Sequence, residues 1–349
     1  MNNEFWRLTL DTNPEDCNLA CIMCEEHSPY SDFKQKLLEQ TGQKVRRMPA
    51  AWLEPLFQEA KALGIREIIP STMGEPLLYK DFDRILALCH QYEIRCNLTT
   101  NGTFPKRTVE AWAQRIVPVT SDVKISWNGA SAATAEQVML KIDFEQAIEN
   151  VRVFIRCRDA HAGAGGNFCR VTFQLTFMRN NMHELADIVK LAAALGVDRV
   201  KGHQLWDHFA EIKKLSFLQS PETRAEWNRY VSEAHEAAAT CLKPNGERVL
   251  LENILPLETS ETREVPEQYE CPFLGRELWI SATGKISPCC APDELRQGLG
   301  DFGSYPETRI KEAVLGESYQ QLRNGYKHIA LCRGCTMRKP VAITTNASS

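Results

Sequence analysis

"RVTFQLTFMRNNMHELADIVKLAAALGVDRVKGHQL", residues 170–205, reads as strand, helix, strand. Residues 170–177 alternate, with Thr172, Gln174 and Thr176 on one face and apolar side chains on the other, which is the period of a strand. The segment 181–196 is helical, with Asn181 and Glu184 at capping-box spacing and Gly196 as its stop. Residues 197–205 return to strand.

The same unit repeats toward the N-terminus. Strand-like runs occupy 5–11, 65–71, 93–100 and 121–127, and helical patterns occupy 48–64, 80–92, 105–116 and 143–157. Six strands alternating with helices predict an α/β parallel sheet, either a partial (β/α)6 barrel or a doubly wound layer. A parallel strand covered on both faces is almost continuously apolar. Here several strands carry a polar face: Thr9 with Asp11, Asn97 with Thr99, Lys124 with Ser126, Lys201 with His203. That favours a partial TIM-like barrel whose lumen holds a ligand, with its chemistry at the C-terminal ends of the strands. The barrel is expected over 1–220 and a linking helix and strand over 221–255. A small second module, rich in cysteine, glycine and proline and stapled by metal, is expected over 256–349.

Composition narrows the function. The net charge of -4 argues against a nucleic-acid partner. No apolar run reaches membrane-spanning length, and the N-terminus lacks a signal-peptide pattern, so a cytoplasmic protein off the membrane is expected. Thirteen cysteines, an odd number without an export signal, point to metal or redox chemistry rather than disulfides.

Three of them lie together in "DCNLACIMC", residues 16–24, as Cys17, Cys21 and Cys24. Three thiolates can hold three irons of a [4Fe–4S] cube and leave the fourth open to a cofactor or substrate. The alternative is zinc with a distant fourth ligand. The strand ends continue as "STMGEPLLY" (71–79), "TTNGT" (99–103) and "ISWNGAS" (125–131).

With these motifs in this order, the chain resembles the radical S-adenosylmethionine (SAM) enzymes across most of its length. The resemblance implies that Cys17, Cys21 and Cys24 ligate a [4Fe–4S] cluster whose open iron is chelated by SAM. Reductive cleavage then gives a 5′-deoxyadenosyl radical that abstracts hydrogen from a substrate. "MGEP" matches the family's glycine-glycine-glutamate motif at Gly74 and Glu75, where the SAM ammonium is received. Ser126, Asn128 and Gln174 are implied SAM contacts; for Ser126 and Gln174 the alternative is a polar side chain satisfied within the lumen. Met23 stands where the family often carries an aromatic residue against adenine. Thr100, Asn101 and Gly102 are expected to shape a strand end rather than touch the chemistry.

The C-terminal region has its own pattern. Twelve residues separate Cys271 from Gly284, four separate Gly284 from Cys289, and "CRGC" supplies Cys332 and Cys335. This resembles the twitch domain, a short relative of the SPASM domain, and implies a second [4Fe–4S] cluster held by Cys271, Cys289, Cys332 and Cys335. A four-cysteine zinc ribbon is the alternative. Four thiolates leave no open iron, which suits an electron acceptor.

The remaining cysteines, Cys89, Cys96, Cys157, Cys169, Cys241 and Cys290, read as small buried side chains. Cys96 is also a candidate hydrogen donor in the lumen, and Cys290 a spare ligand. Lys201 and His203, with Asp207 and His208 just after, are candidates for substrate binding or proton transfer. The stretch 25–47, with His27 and Tyr30, is long for a connection and is expected to cover the site.

The activity expected is oxidation of a small molecule such as a sugar or aminocyclitol, with flavodoxin or ferredoxin as reductant. One reason is that the first strand starts by residue 5, with no peptide-recognition domain ahead of it. Crosslinking or epimerisation of a ribosomal peptide is the alternative within the class. A zinc-stabilised binding protein is the alternative outside it.

Overall fold

The computed structural model describes residues 5–259 and 265–340. Its frame is one sheet in which β1 (Arg7–Leu10), β2 (Glu67–Ile69), β3 (Arg95–Thr100), β4 (Thr120–Ser126), β5 (Arg170–Phe177) and β6 (Arg199–Gln204) pair in sequence, all parallel. Between them run α1 (Phe33–Thr41), α2 (Ala50–Ala62), α3 (Phe82–Tyr92), α4 (Val109–Ile116), α5 (Ala132–Val138), α6 (Phe144–Gly163) and α7 (Leu185–Leu195). After β6 come α8 (Ala210–Lys213) and α9 (Pro221–Thr240). The strand order has two free ends, so the barrel is partial.

The alternation seen in the sequence becomes two environments. Leu8, Leu98, Val123, Ile125, Val171, Phe173 and Val200 are fully buried and belong to the main apolar core with residues of the flanking helices. The opposite face is a floor of paired charges. Arg7 bonds Glu67 at 2.7 Å and Glu277 at 3.3 Å, and Arg199 pairs with Asp122 and, at 2.6 Å, with Glu252.

Both flanking segments enter the same sheet. In 221–255, α9 packs against α7 and β7 (Leu250–Glu252) pairs with β6, so this segment is barrel wall as well as linker. In the C-terminal module, β8 (Glu277–Ile280) runs parallel to β1, and β9 (Ile286–Ser287) pairs antiparallel with β8. Four short helices follow: α10 (Asp293–Arg296), α11 (Ile310–Leu315), α12 (Glu317–Gly325) and α13 (Ala330–Arg333).

Two sequence expectations change. The helix read as 143–157 continues to Gly163, because Arg158 is buried against Asp198 at 2.6 Å rather than facing solvent. The capping box at Asn181 and Glu184 does not form. Asn181 instead accepts from the Met178 N–H, and Glu184 reaches across to α5. There it accepts from the Ala130 N–H at 2.6 Å, the Ser131 hydroxyl at 2.6 Å and the Thr134 hydroxyl at 2.7 Å. Burial alone would raise this carboxyl, but these bonds outweigh it and hold Glu184 below its usual range. Its contribution is therefore present above the ordinary glutamate pKa and lost as pH falls through the lower folded value. Glu184→Ala is expected to cost about 1–3 kcal/mol at neutral pH, and less under acid, by denaturant titration.

Candidate active site

The loop after β1 carries Cys17, Cys21 and Cys24 and is laced to the loop after β2. The Thr12 hydroxyl donates to the Pro70 carbonyl at 2.8 Å, Asn13 Nδ2 to the Glu75 carbonyl at 3.0 Å, and the Glu75 N–H to the Asp16 carbonyl at 2.7 Å. Gly74 sits in this seam with its N–H on the Pro14 carbonyl and φ of +21°. A Cβ there would overlap the Asn13 carbonyl oxygen, so only glycine lets the two backbones approach. Gly74→Ala is expected to destabilise the chain by about 2 kcal/mol or more and to lower iron retention in the first site, read by denaturant midpoint and iron analysis.

The stretch 25–47 is the other brace. It contains α1 and returns Arg46 to Glu15 at 2.6 Å and Glu26 at 2.8 Å, and Arg47 to Asp16 at 2.8 Å. His27 Nε2 lies 2.7 Å from the Pro14 carbonyl, while Tyr30 is exposed. Across the mouth, the N–H groups of Ala20 and Ile22 donate to the carbonyls of Leu140 and Val138. Cys17, Cys21 and Met23 pack against a small apolar cluster of Leu19, Ile22, Val138, Met139, Met178, Leu205 and Ile212.

Burial raises all three thiols, and charge adds to it: Glu75 raises Cys17, Cys24 and Cys17 raise Cys21, and Glu26 and Cys17 raise Cys24. Cys24 is pushed up to about 12. As free thiols they keep their protons, so metal binding must displace them. Among the described residues no group of three or more Cys, His, Asp or Glu converges tightly enough to share one metal ion. Three thiols, one of them with the Asn101 Nδ2 beside it, are a donor set that fits an iron–sulfur cluster, in which each thiolate would bind its own iron.

Glu75 is 1% exposed and bridges the seam to β3. It accepts from the Thr100 hydroxyl at 2.8 Å, the Asn101 N–H at 2.7 Å and the Leu77 N–H at 3.1 Å. Burial prevails over these bonds and lifts its pKa to about 7. Asn101 does more than shape the strand end: its Nδ2 points at Cys17 Sγ from 3.8 Å and donates to Asn18 Oδ1 at 2.8 Å. No local pattern marks this contact, since residues 17 and 101 meet only through the fold.

On the lumen face, Ser126 of β4, Gln174 of β5, Lys201 of β6 and Glu252 of β7 form one rung. The side chains of Ser126 and Gln174 make no hydrogen bond among the described residues, which leaves both available to a ligand. Asn128 is committed to the fold, with its Oδ1 taking the Thr176 N–H at 2.9 Å. Lys201 reaches Glu252 at 3.5 Å, and His203 stands next along β6, lowered to about 4 by burial and then by Lys201. Cys96 fails as a lumen hydrogen donor: it is fully buried with Leu98 in the main core, a free thiol hydrogen-bonded to the free thiol of Cys89 in α3.

In the second module, Cys271, Cys289, Cys332 and Cys335 lie within electrostatic reach of one another. Gly284 has φ of +91°, and a Cβ there would overlap the Tyr305 carbonyl, which explains the glycine in the spacing. The Cys290 thiol bonds Cys289 and lowers it to about 7, so a fifth thiol stands beside the four. Arg338, which sequence reasoning missed, is buried and donates to the carbonyls of Pro266, Tyr269 and Cys332, tying the CxxC turn to the segment before Cys271.

A family model of the radical SAM superfamily matches residues 14–192, half of the chain, and spans the three-cysteine loop, Gly74, Glu75, Ser126 and Gln174. The chain belongs to the radical SAM superfamily. A second model, of an iron–sulfur cluster-binding domain of the SPASM type, matches residues 271–336. No curated protein matches the chain. Among solved structures, Streptococcus suis SuiB bound to S-adenosylmethionine is similar over 96% of this chain and 71% of its own, with TM-score 0.67 and 18% identity. SuiB bound to its precursor peptide SuiA covers 93% and 67%, with TM-score 0.66 and 17% identity. Native anSMEcpe with bound AdoMet covers 95% and 88%, with TM-score 0.64 and 15% identity. At these identities the likeness shows the fold, a partial TIM-like barrel with an iron–sulfur module.

As a radical SAM protein with a SPASM-type domain, the chain uses [4Fe–4S] clusters and SAM. Among the described residues no helix is long and apolar enough to cross a membrane.

Proposed function

We propose that this radical SAM enzyme cleaves SAM at Cys17, Cys21 and Cys24 and abstracts hydrogen from a small polar molecule in the barrel lumen, with net oxidation. The observation that carries it is positional. The three-cysteine loop, the Gly74–Glu75 seam and the unpartnered Ser126 and Gln174 all lie at the C-terminal ends of β1, β2, β4 and β5. That is where a barrel of this kind does its chemistry. The cofactor pair supplies the radical. This chain's residues place it: Ser126 and Gln174 offer polar contacts, Glu75 and the Gly74 backbone line the ammonium end, and Met23 offers a polarizable packing surface.

Cys271, Cys289, Cys332 and Cys335 would hold a second cluster with a thiolate on every iron, and that cluster would supply an electron acceptor for the substrate radical. A flavodoxin or ferredoxin supplies the electron for SAM. Charges fixed on the lumen floor favour a compact polar substrate. The second reading, a peptide substrate, is favoured by the peptide-bound SuiB structure.

Anaerobically purified protein given SAM and dithionite is expected to form 5′-deoxyadenosine, and its absence would sink the proposal. Asn101→Ala is expected to make the first cluster's reduction potential more negative while leaving the second unchanged, because an N–H donor to a thiolate stabilises the reduced state. A spectroelectrochemical titration with no shift would remove Asn101 from the account.

A further inference from the structure

We propose that Lys124, with Lys201 beside it, binds a negatively charged group of the substrate, a carboxylate or a phosphoryl group, deep in the lumen below Ser126 and Gln174. The inference rests on reading the lumen as the substrate chamber.

Lys124 is 6% exposed and makes no hydrogen bond or ion pair among the described residues. It lies on the lumen face of β4, where its backbone neighbours are Thr99 of β3 and Thr172 of β5, one rung below Ser126. A buried ammonium without a partner is costly, and its neighbours make that worse. Lys201 and Arg7 both repel it. The acids in range, Asp122 and Glu277, are already engaged. Asp122 is paired with Arg199 and takes the Thr172 hydroxyl at 2.8 Å, while Glu277 takes Arg7 at 3.3 Å and the Thr9 hydroxyl at 2.7 Å.

Lys201 is hardly better served. Its partner Glu252 is 3.5 Å away and bonds Arg199 more closely, at 2.6 Å. Lys339 of the C-terminal segment adds a further positive charge near Lys201 and Glu252. On the next rung toward the mouth, His203 is neutral at pH 7 and can donate one hydrogen bond to a ligand oxygen. A cation held in a desolvated, like-charged chamber gains most from an incoming anion, which offsets both its burial and the repulsion.

Without a ligand, burial and then Lys201 hold Lys124 near 7. An anion favours the protonated amine, so affinity falls as pH rises past that value. The groups facing Lys124 in this range are Lys201, Arg7, Asp122 and Glu277, with Arg199, Glu252 and Lys339 behind them.

The test uses the full chain, purified anaerobically with its clusters. Inorganic sulfate and succinate are titrated by calorimetry at constant ionic strength into the wild type, Lys124→Met and Lys124→Arg. At least one anion is expected to bind once per chain. Sulfate alone points to a phosphoryl-type group, and succinate alone to a carboxylate. Lys124→Met should weaken binding about tenfold or more, and Lys124→Arg by much less. In the wild type, sulfate affinity should fall between about one pH unit below and one above 7. Binding of neither anion, or equal affinity in Lys124→Met, overturns the proposal. Iron content and SAM binding report whether Lys124→Met is folded; if it is not, a flat sulfate pH profile in the wild type overturns the proposal instead. 5′-Deoxyadenosine is scored in the same samples. Its absence with anion binding intact rejects the radical chemistry and leaves the anion site standing. Its presence without anion binding rejects the site alone.

Discussion

Cys17→Ala, Cys21→Ala and Cys24→Ala together are expected to remove about half of the iron and sulfide and to abolish reductive SAM cleavage. The expectation follows from how separately the two thiol groups are built. The first sits on the loop after β1, held by the Gly74–Glu75 seam, by Arg46 and by the 138–140 backbone. The second is held by the CxxC turn, Arg338 and the segment before Cys271. If each thiol set holds its own cluster, as proposed, the remaining iron should stay in the second module. Most of the loop's own hydrogen bonds use backbone groups and survive the change, so the chain should fold. The measurements are iron and sulfide analysis and chromatography of 5′-deoxyadenosine. Continued 5′-deoxyadenosine formation would refute the ligand assignment.

The reciprocal variant, Cys332→Ala with Cys335→Ala, is expected to lose the other half of the iron and still form 5′-deoxyadenosine. Without electron transfer to a second cluster, that formation should no longer lead to oxidised product. Locally the module should loosen, because its helices α10 to α13 are short and, among the described residues, its own strands are β8 and β9. β8 remains paired to β1 along Arg7–Leu10, so the barrel should hold. Limited proteolysis should therefore cut first within 265–340 in the variant and spare the barrel. Loss of both clusters together would mean that the modules are not independent in metal binding.

What the sequence disclosed was local in kind. Strand alternation placed Lys124, Ser126, Gln174 and Lys201 on one face, and cysteine spacing placed both thiol sets, because each signal lies within a few residues. What it withheld depends on distant segments meeting. Nothing near Glu277 marks it as a partner of Arg7 across the sheet, and Glu184 reads as its own helix's cap until α5 is placed beside it. Asn101 sits in a strand-end motif whose contact with Cys17 exists only once β1 and β3 share a barrel. Cys96 reads from its strand as a small buried side chain, which it is, and its other reading as a lumen hydrogen donor falls for a local reason. Its face was legible from Leu98, and that face is the helix-covered one. The missing partner of Lys124 is a property of the whole lumen, so no local pattern carries it.

The central claim is that one cluster is open to SAM and the other is closed. Electron paramagnetic resonance of the dithionite-reduced protein, with and without SAM, tests it most directly. The account predicts two signals, of which SAM alters only the one that disappears in the Cys17, Cys21 and Cys24 variant. A SAM-induced change in the signal that persists in that variant, or a single signal that SAM does not alter, would contradict it.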